Sequence, residues 1–260
     1  MKQFLASKKA QALSILSLVL VVVLALGVTL AYFTDFDEVE NVFTMGSIKI
    51  GLEEPGWEEG DGLDLVPGSV RDKDPTVTAV DGKSYMRIRM ELQDGDGTLI
   101  TDVNRINLIL GTLYFDKAYG TGSPNILPSG IYSTSDMAAL VAGGTVYAEY
   151  NKDEFEYAGI ETGVPAARYY NYKGIFDASI PDVVTLFTSV VIPMDWSNEE
   201  IFTLHGSTFQ TMPNGSVEVT APGNGYKIVI KAEAIQSAEM PSAAAAYAAL
   251  NEATGVTISS

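Results

Sequence analysis

The sequence predicts an all-β protein, an antiparallel β-sandwich, and two observations carry that prediction. The first is alternation of apolar and polar residues with period two, the mark of a strand that buries one face. In "GSIKIGLE" Ile48, Ile50 and Leu52 alternate with Ser47, Lys49 and Gly51. In "SYMRIRMEL" Met86, Ile88, Met90 and Leu92 are expected to point inward, with Tyr85, Arg87, Arg89 and Glu91 outward. "GYKIVIKAEAI" sets Tyr226, Ile228, Ile230, Ala232 and Ala234 on one side, and "VVTLFTSVVIP" (183–193), apolar on both faces, reads as a central strand. The second observation is the turn chemistry between these runs. Asp81-Gly82, Asp94-Gly95-Asp96-Gly97, Asn214-Gly215 and "APGNG" (221–225) supply the residues that accept positive φ in tight turns. Regular strand-helix-strand alternation is absent from the pattern, which disfavours a doubly wound sheet. A jelly roll and an immunoglobulin-like sandwich fit this pattern equally.

The middle of the chain reads differently. Thr101 followed by Val103, Ile106, Ile109, Leu110 and Gly111 has the cap, apolar period and stop signal of a short helix. "STSDMAALVAGG" (133–144) repeats that grammar, and the alanine-rich "SAAAAYAALNEATG" (242–255) predicts a short C-terminal helix. Residues 111–170 are otherwise rich in Tyr, Gly and Asp with little periodicity, so an inserted loop and helix region is expected at about 100–165.

The N-terminus carries an export address. Lys2, Lys8 and Lys9 precede the apolar run Leu13 to Ala31, which is long for a secretory signal and long enough to span a bilayer. Thr29 and Ala31 flank Leu30 with the small-residue spacing that a signal peptidase reads, which favours a cut between Ala31 and Tyr32 over a retained anchor. Either way the lysines stay inside and the body is exported. The expected organisation is a signal peptide at 1–31, an N-terminal arm at 32–43 and a sandwich domain at 44–260.

Composition narrows the chemistry. Cysteine is absent, which excludes disulfides, thiolate catalysis and Cys-ligated zinc. Three of the sixteen bases lie in the first 31 residues, leaving 33 acids against 13 bases, near −20, beyond them. Such a surface repels phosphate backbones, so nucleic acid is not an expected partner. His205 is the one histidine. A zincin needs two on one helical turn and a serine triad needs a nucleophile elbow, so His205 is read as a loop or strand-edge residue with no catalytic role. The acidic runs "EEGDGLDL" (58–65) and "QDGDGTL" (93–99) invite a calcium reading. Counted from Asp94, the sixth and twelfth positions of an EF-hand loop fall on Leu99 and Arg105, so both runs are read as solvated turns. Asn214-Gly215-Ser216 matches a glycosylation pattern, with a hairpin turn as the plainer reading. Tyr169, Tyr170 and Tyr172 are read as a strand whose hydroxyls stay wet, with a sugar- or partner-binding surface as the sharper alternative. No cofactor and no metal site is expected.

Several stretches taken together resemble a known family. "TLAYFTDFDEVENVFTMGSIKIGLEE", "LVPGSVRDKDPTVTAVDGKSYMRIRMEL", "LFTSVVIPMDWSNEEIF" and "YKIVIKAEAIQSAEMPSAAAAYAAL" are similar to the TasA and camelysin proteins of Gram-positive bacteria. The resemblance implies a signal peptide cut by a SipW-type signal peptidase just before an aromatic pair, here Tyr32-Phe33 followed by Thr34 and Asp35. It also implies a jelly-roll domain with a helical insertion, export to the cell surface or biofilm matrix, and fibres in which one subunit's N-terminal segment completes a sheet of the next. The partners so implied are further copies of the chain, the signal peptidase and an accessory anchoring protein, with membrane contact only before cleavage. Camelysin has been grouped with metallopeptidases, and this sequence offers no histidine ligand set for that chemistry. A membrane-anchored adhesin is the other alternative.

On the fibre reading, residues 32–43 form a free arm that reaches about 40 Å when extended at roughly 3.3 Å per residue. Phe33, Phe36, Val39, Val42 and Phe43 are its candidate apolar anchors. Their spacing of about three is no clean strand alternation, so the register is open.

Overall fold

A computed structural model describes residues 39–41, 49–53, 65–119, 127, 131–180 and 183–259. In chain order its strands are β1 (Val39–Asn41), β2 (Lys49–Glu53), β3 (Val70–Asp72), β4 (Thr76–Asp81), β5 (Lys83–Asp94), β6 (Leu113–Asp116), β7 (Val146–Ala148) and β8 (Phe155–Glu161). They continue with β9 (Val164–Tyr172), β10 (Phe176–Asp177), β11 (Val183–Thr185), β12 (Ser189–Val191), β13 (Thr208–Thr211), β14 (Val217–Ala221), β15 (Tyr226–Gln236) and β16 (Ile258–Ser259). The helices are α1 (Val103–Gly111), α2 (Thr134–Ala142), α3 (Asn198–Leu204) and α4 (Ala243–Thr254). The protein is mostly β, and its sheets are antiparallel apart from the pairing of β1 with β15.

The largest sheet runs β1-β15-β5-β9-β8-β16, with β10 also on β5. A second runs β11-β4-β2 and a third β3-β12-β6-β7, while β13 and β14 form a separate two-stranded ribbon. The long antiparallel pairing of β5 with β15, from Ser84↔Gln236 to Asp94↔Tyr226, is the spine. Its alternation does what period two demands: Met86, Ile88, Met90 and Leu92 lie with Ile228, Ile230 and Ala232 in the main core. Ile50, Val77, Ile106, Leu113, Val184 and Val190 enter the same cluster, so the three larger sheets and α1 share one core. Leu127, Met137, Val146 and Val191 make a second, smaller core beneath α2 and β7.

The helix signals work at their ends. The Ser133 side chain accepts from Asp136 N while Asp136 bonds back, a full capping box for α2. Ser242 caps α4, and Gly255 closes it in the left-handed conformation at φ 68°. For α1 the cap is Asp102, one residue later than the expected Thr101, because its carboxylate reaches both Asn104 N and Arg105 N.

Three expectations need correction, and one helix lay outside them. The apolar run 183–193 is no single central strand. It divides into β11 and β12, which join different sheets, and Leu186 and Phe187 between them are fully buried. The region expected as loop and helix holds β6, β7, β8 and the start of β9, strands whose short, tyrosine-rich sequences lack clean alternation. Residues 198–204 form α3, with a capping box between Ser197 and Glu200. The third correction is the outward side of β5. Arg87 is 0% exposed, held beneath Asn251 and Thr254 of α4, and Glu91 is 5% exposed between Arg89 and Lys231.

Candidate functional site

Most of the expected arm lies outside the described residues, Tyr32, Phe33, Phe36, Val42 and Phe43 among them, as does the expected apolar run Leu13 to Ala31. Among the described residues no helix is long and apolar enough to cross a membrane. Val39 is described, and it begins β1. Its backbone pairs in parallel with the same chain's β15, with Val39 opposite Ile230, Glu40 opposite Lys231 and Asn41 opposite Ala232.

β1 thus lies on the second edge of β15, a pairing that sequence reasoning had not named. One edge of that strand is fully taken by β5. On the other, among the described residues, the only strand is the three-residue β1. Ile230 and Ala232 face the main core beneath it. A pairing of three residues contributes only a few hydrogen bonds at about 1 kcal/mol net each. β15 is eleven residues long, and among the described residues β1 covers only three of them on that side.

The other singled-out residues resolve into structural roles. His205 lies in the turn after α3, as a loop residue and not at a strand edge. It is the C-cap of α3, buried against Arg105, and both burial and that guanidinium hold its imidazole down to about 4. Arg105 in turn donates to the Leu204 carbonyl at 3.0 Å and to the Gly225 carbonyl, tying α1 to the end of α3 and to the "APGNG" turn. That turn needs glycine at 223, where a Cβ would stand 1.9 Å from the His205 carbonyl oxygen.

The acidic turn of residues 94–97 is consumed by its own backbone. Asp94 Oδ1 accepts from Asp96 N at 3.0 Å and Thr98 N at 2.9 Å, and Asn224 donates to Asp96 Oδ2 at 2.7 Å. The run 58–65 lies outside the described residues except for Leu65. Among the described residues no three carboxylate or imidazole groups gather as a metal ion would require. Asn214-Gly215 makes the hairpin turn between β13 and β14, with Gly215 at φ 82°.

The tyrosines are not a wet face. Tyr169 and Tyr170 are fully buried on opposite sides of β9. Tyr169 receives a hydrogen bond from Arg89 Nε at 2.8 Å, and desolvation lifts its phenol to about 12. Tyr170 donates to Glu149 Oε1 at 2.5 Å, and burial raises it well above the ordinary phenol value. Glu149 adopts φ 74°, strained for a residue with a side chain, in making that contact.

No family model matches the chain, and no curated protein matches it. The functional reading therefore rests on residues and geometry.

Proposed function

We propose that this chain is a secreted structural subunit of extracellular or cell-surface fibres, assembled by exchange of its N-terminal strand between copies. The single observation that carries the reading is the pairing of Val39–Asn41 with Ile230–Ala232. A short segment near the N-terminus already occupies a sheet edge, so the same segment of a neighbour would find the same backbone bonds there. In trans the contact is head-to-tail and propagates instead of closing. On this reading residues 1–31 are removed by a SipW-type signal peptidase, the body is a jelly-roll domain, and Phe33, Phe36, Val39, Val42 and Phe43 anchor the donated arm.

The similarity to TasA and camelysin sequences quoted above supports the same reading. Before cleavage the arm is tethered to the apolar run in the membrane, which delays assembly until export. The experiment is deletion of residues 32–43 behind an intact signal. Loss of filaments by electron microscopy is expected, and filaments of normal number and width would overturn the reading.

A further inference from the structure

Asparagine followed by glycine is chemically labile, because the glycine nitrogen can close a five-membered ring on the asparagine side chain with no Cβ in its way. The chain has two such pairs, Asn214-Gly215 and Asn224-Gly225, and the structure treats them differently.

Asn224 is clamped. Its Nδ2, the leaving group of such a reaction, donates to Asp96 Oδ2 at 2.7 Å. The Gly225 N–H donates to the His205 carbonyl at 3.2 Å, and the Gly225 carbonyl accepts from Gly95 N at 3.2 Å and from the Arg105 guanidinium. A Cβ at Gly95 would stand 1.9 Å from the Asn224 carbonyl oxygen, so the backbone there has no room to turn.

Asn214 stands at the tip of the β13-β14 ribbon, where residues 211–216 are all exposed. Gly215 N donates to the Met212 carbonyl at 2.8 Å, a bond that must open before the nitrogen can attack. A Cβ at Gly215 would meet nothing within 4 Å, so the approach is free. Asn214 Oδ1 accepts from Ser216 N at 3.0 Å and from Ser216 Oγ at 2.7 Å. These two donors draw charge from Cγ and already face the oxygen on which negative charge develops when that carbon is attacked.

We infer that Asn214 is a site of spontaneous succinimide formation in the folded chain and that Asn224 is not. Hydroxide removes the Gly215 amide proton, and the nitrogen bonds to Asn214 Cγ. The tetrahedral centre collapses by breaking Cγ–Nδ2, and the departing nitrogen takes a proton from water and leaves as ammonia. Water then opens the ring. Cleavage between N and Cγ gives aspartate, and cleavage between N and the Asn214 carbonyl carbon gives isoaspartate. The net change converts one amide and one water into one carboxylic acid and one ammonia, with no oxidant or reductant. The two products differ in what they leave of the ribbon. An aspartate oxygen keeps both Ser216 donors in stronger, charge-assisted bonds. Isoaspartate adds a methylene to the main chain at the turn that sets the Thr211↔Val217 register, so the pairing of β13 with β14 slips or opens. Either product adds negative charge to an acidic body, and an aged chain repels its copies more strongly than a new one.

The test follows the full chain at mildly alkaline pH, with deamidation at each asparagine measured by peptide mass spectrometry. Asn214 is expected to react at least about ten-fold faster than Asn224, a margin that the additional hydrogen bonds to be opened at Asn224 supply. In concentrated guanidinium chloride the two rates should converge. Hydroxylamine, which opens succinimides, should cut the folded chain between Asn214 and Gly215 and spare Asn224-Gly225. Equal rates in the folded chain, or an Asn214 that reacts only in denaturant, would overturn the inference. Asn214→Asp separates the products. Amide exchange in residues 208–221 should be unchanged in that variant and faster in chains identified as isoaspartyl by electron-transfer fragmentation. Isoaspartyl chains that exchange as slowly as Asn214→Asp would overturn the effect on the ribbon. None of these readouts involves filaments, so the outcome is independent of the fibre reading.

Discussion

The two faces of β5 make a comparison within a single strand. Its inner side, Met86, Ile88, Met90 and Leu92, is buried against apolar neighbours, as alternation requires. Its outer side, Arg87, Arg89 and Glu91, is charged and is buried almost as deeply. There Arg87 Nε meets Glu233 Oε2 at 2.5 Å, its other nitrogens reach Asn251 and Thr254 of α4, and its guanidinium lies 4.7 Å over the Tyr169 ring. Arg89 joins Glu161 and Glu91, and Tyr247 of α4 donates to the Tyr172 carbonyl at 2.6 Å. One face is thus held by area removed from water, which tolerates approximate fit. The other depends on every charge keeping its partner.

The largest expected effect tests that dependence. Glu233→Ala leaves Arg87 buried without its carboxylate, and breaking such a pair costs about 3–5 kcal/mol. Urea denaturation should show the loss, and replacing Arg87 by Met together with Glu233 by Leu should cost clearly less than the two single changes summed. A loss below about 1 kcal/mol for Glu233→Ala would mean that the outer face behaves as wet surface, and the contrast would collapse.

The inner face sets the scale next. Ile88→Ala removes a fully buried side chain between β15 and β9 and should cost about 3 kcal/mol, from lost transfer energy plus the cavity left behind. The same change at Tyr85, on the outer side near the strand's end, should cost less. Equal losses at the two positions would show that the faces do not differ in packing.

A third buried polar group extends the contrast to pH. His205 sits near 4 in the fold against an ordinary 6.5, so between these values the unfolded chain binds a proton that the folded chain refuses. The His205 contribution is fully present above about pH 6.5, is lost as pH falls towards 4, and changes no further below that. The total approaches about 3 kcal/mol at 1.36 kcal/mol per unit. A stability–pH profile of His205→Gln should be flatter than that of the unaltered chain over this window, and parallel curves would remove the imidazole from the account.

What was legible in the sequence follows the same division. Alternation named the residues that share each face of β5 and β15, because side-chain period is a local property. It could not say whether the charged face was wet, since Asn251 of the covering helix lies 164 residues beyond Arg87 and only the helix's cap and alanine content mark it as a helix. For the same reason Tyr169 and Tyr170 were placed on a strand but not in the interior. The run 183–193 misled because an apolar stretch that changes sheets looks like one that crosses a core. Of the proposed assembly site, the sequence marked off an expected arm between the expected export signal and β2, while the pairing of β1 with β15 is a tertiary fact with no local signature.

The smallest effect concerns the cover itself. α4 reaches the outer face with few buried apolar residues, Ala246 and Leu250, so its hold depends on the helix being formed before the polar contacts close. Ser242 Oγ accepts from Ala245 N at 3.2 Å and satisfies one of the first-turn donors. Ser242→Ala should cost about 1 kcal/mol, the usual worth of an N-cap. Hydrogen exchange gives the sharper readout. The amides of α4 should lose protection in this variant while those of Ile88 and Ile230, on the spine, keep theirs, because fraying of the cover exposes the charged face without opening the core. Equal loss of protection in α4 and on the spine would mean that the cover and the core unfold as one unit, and that the two faces of β5 differ in chemistry but not in cooperativity.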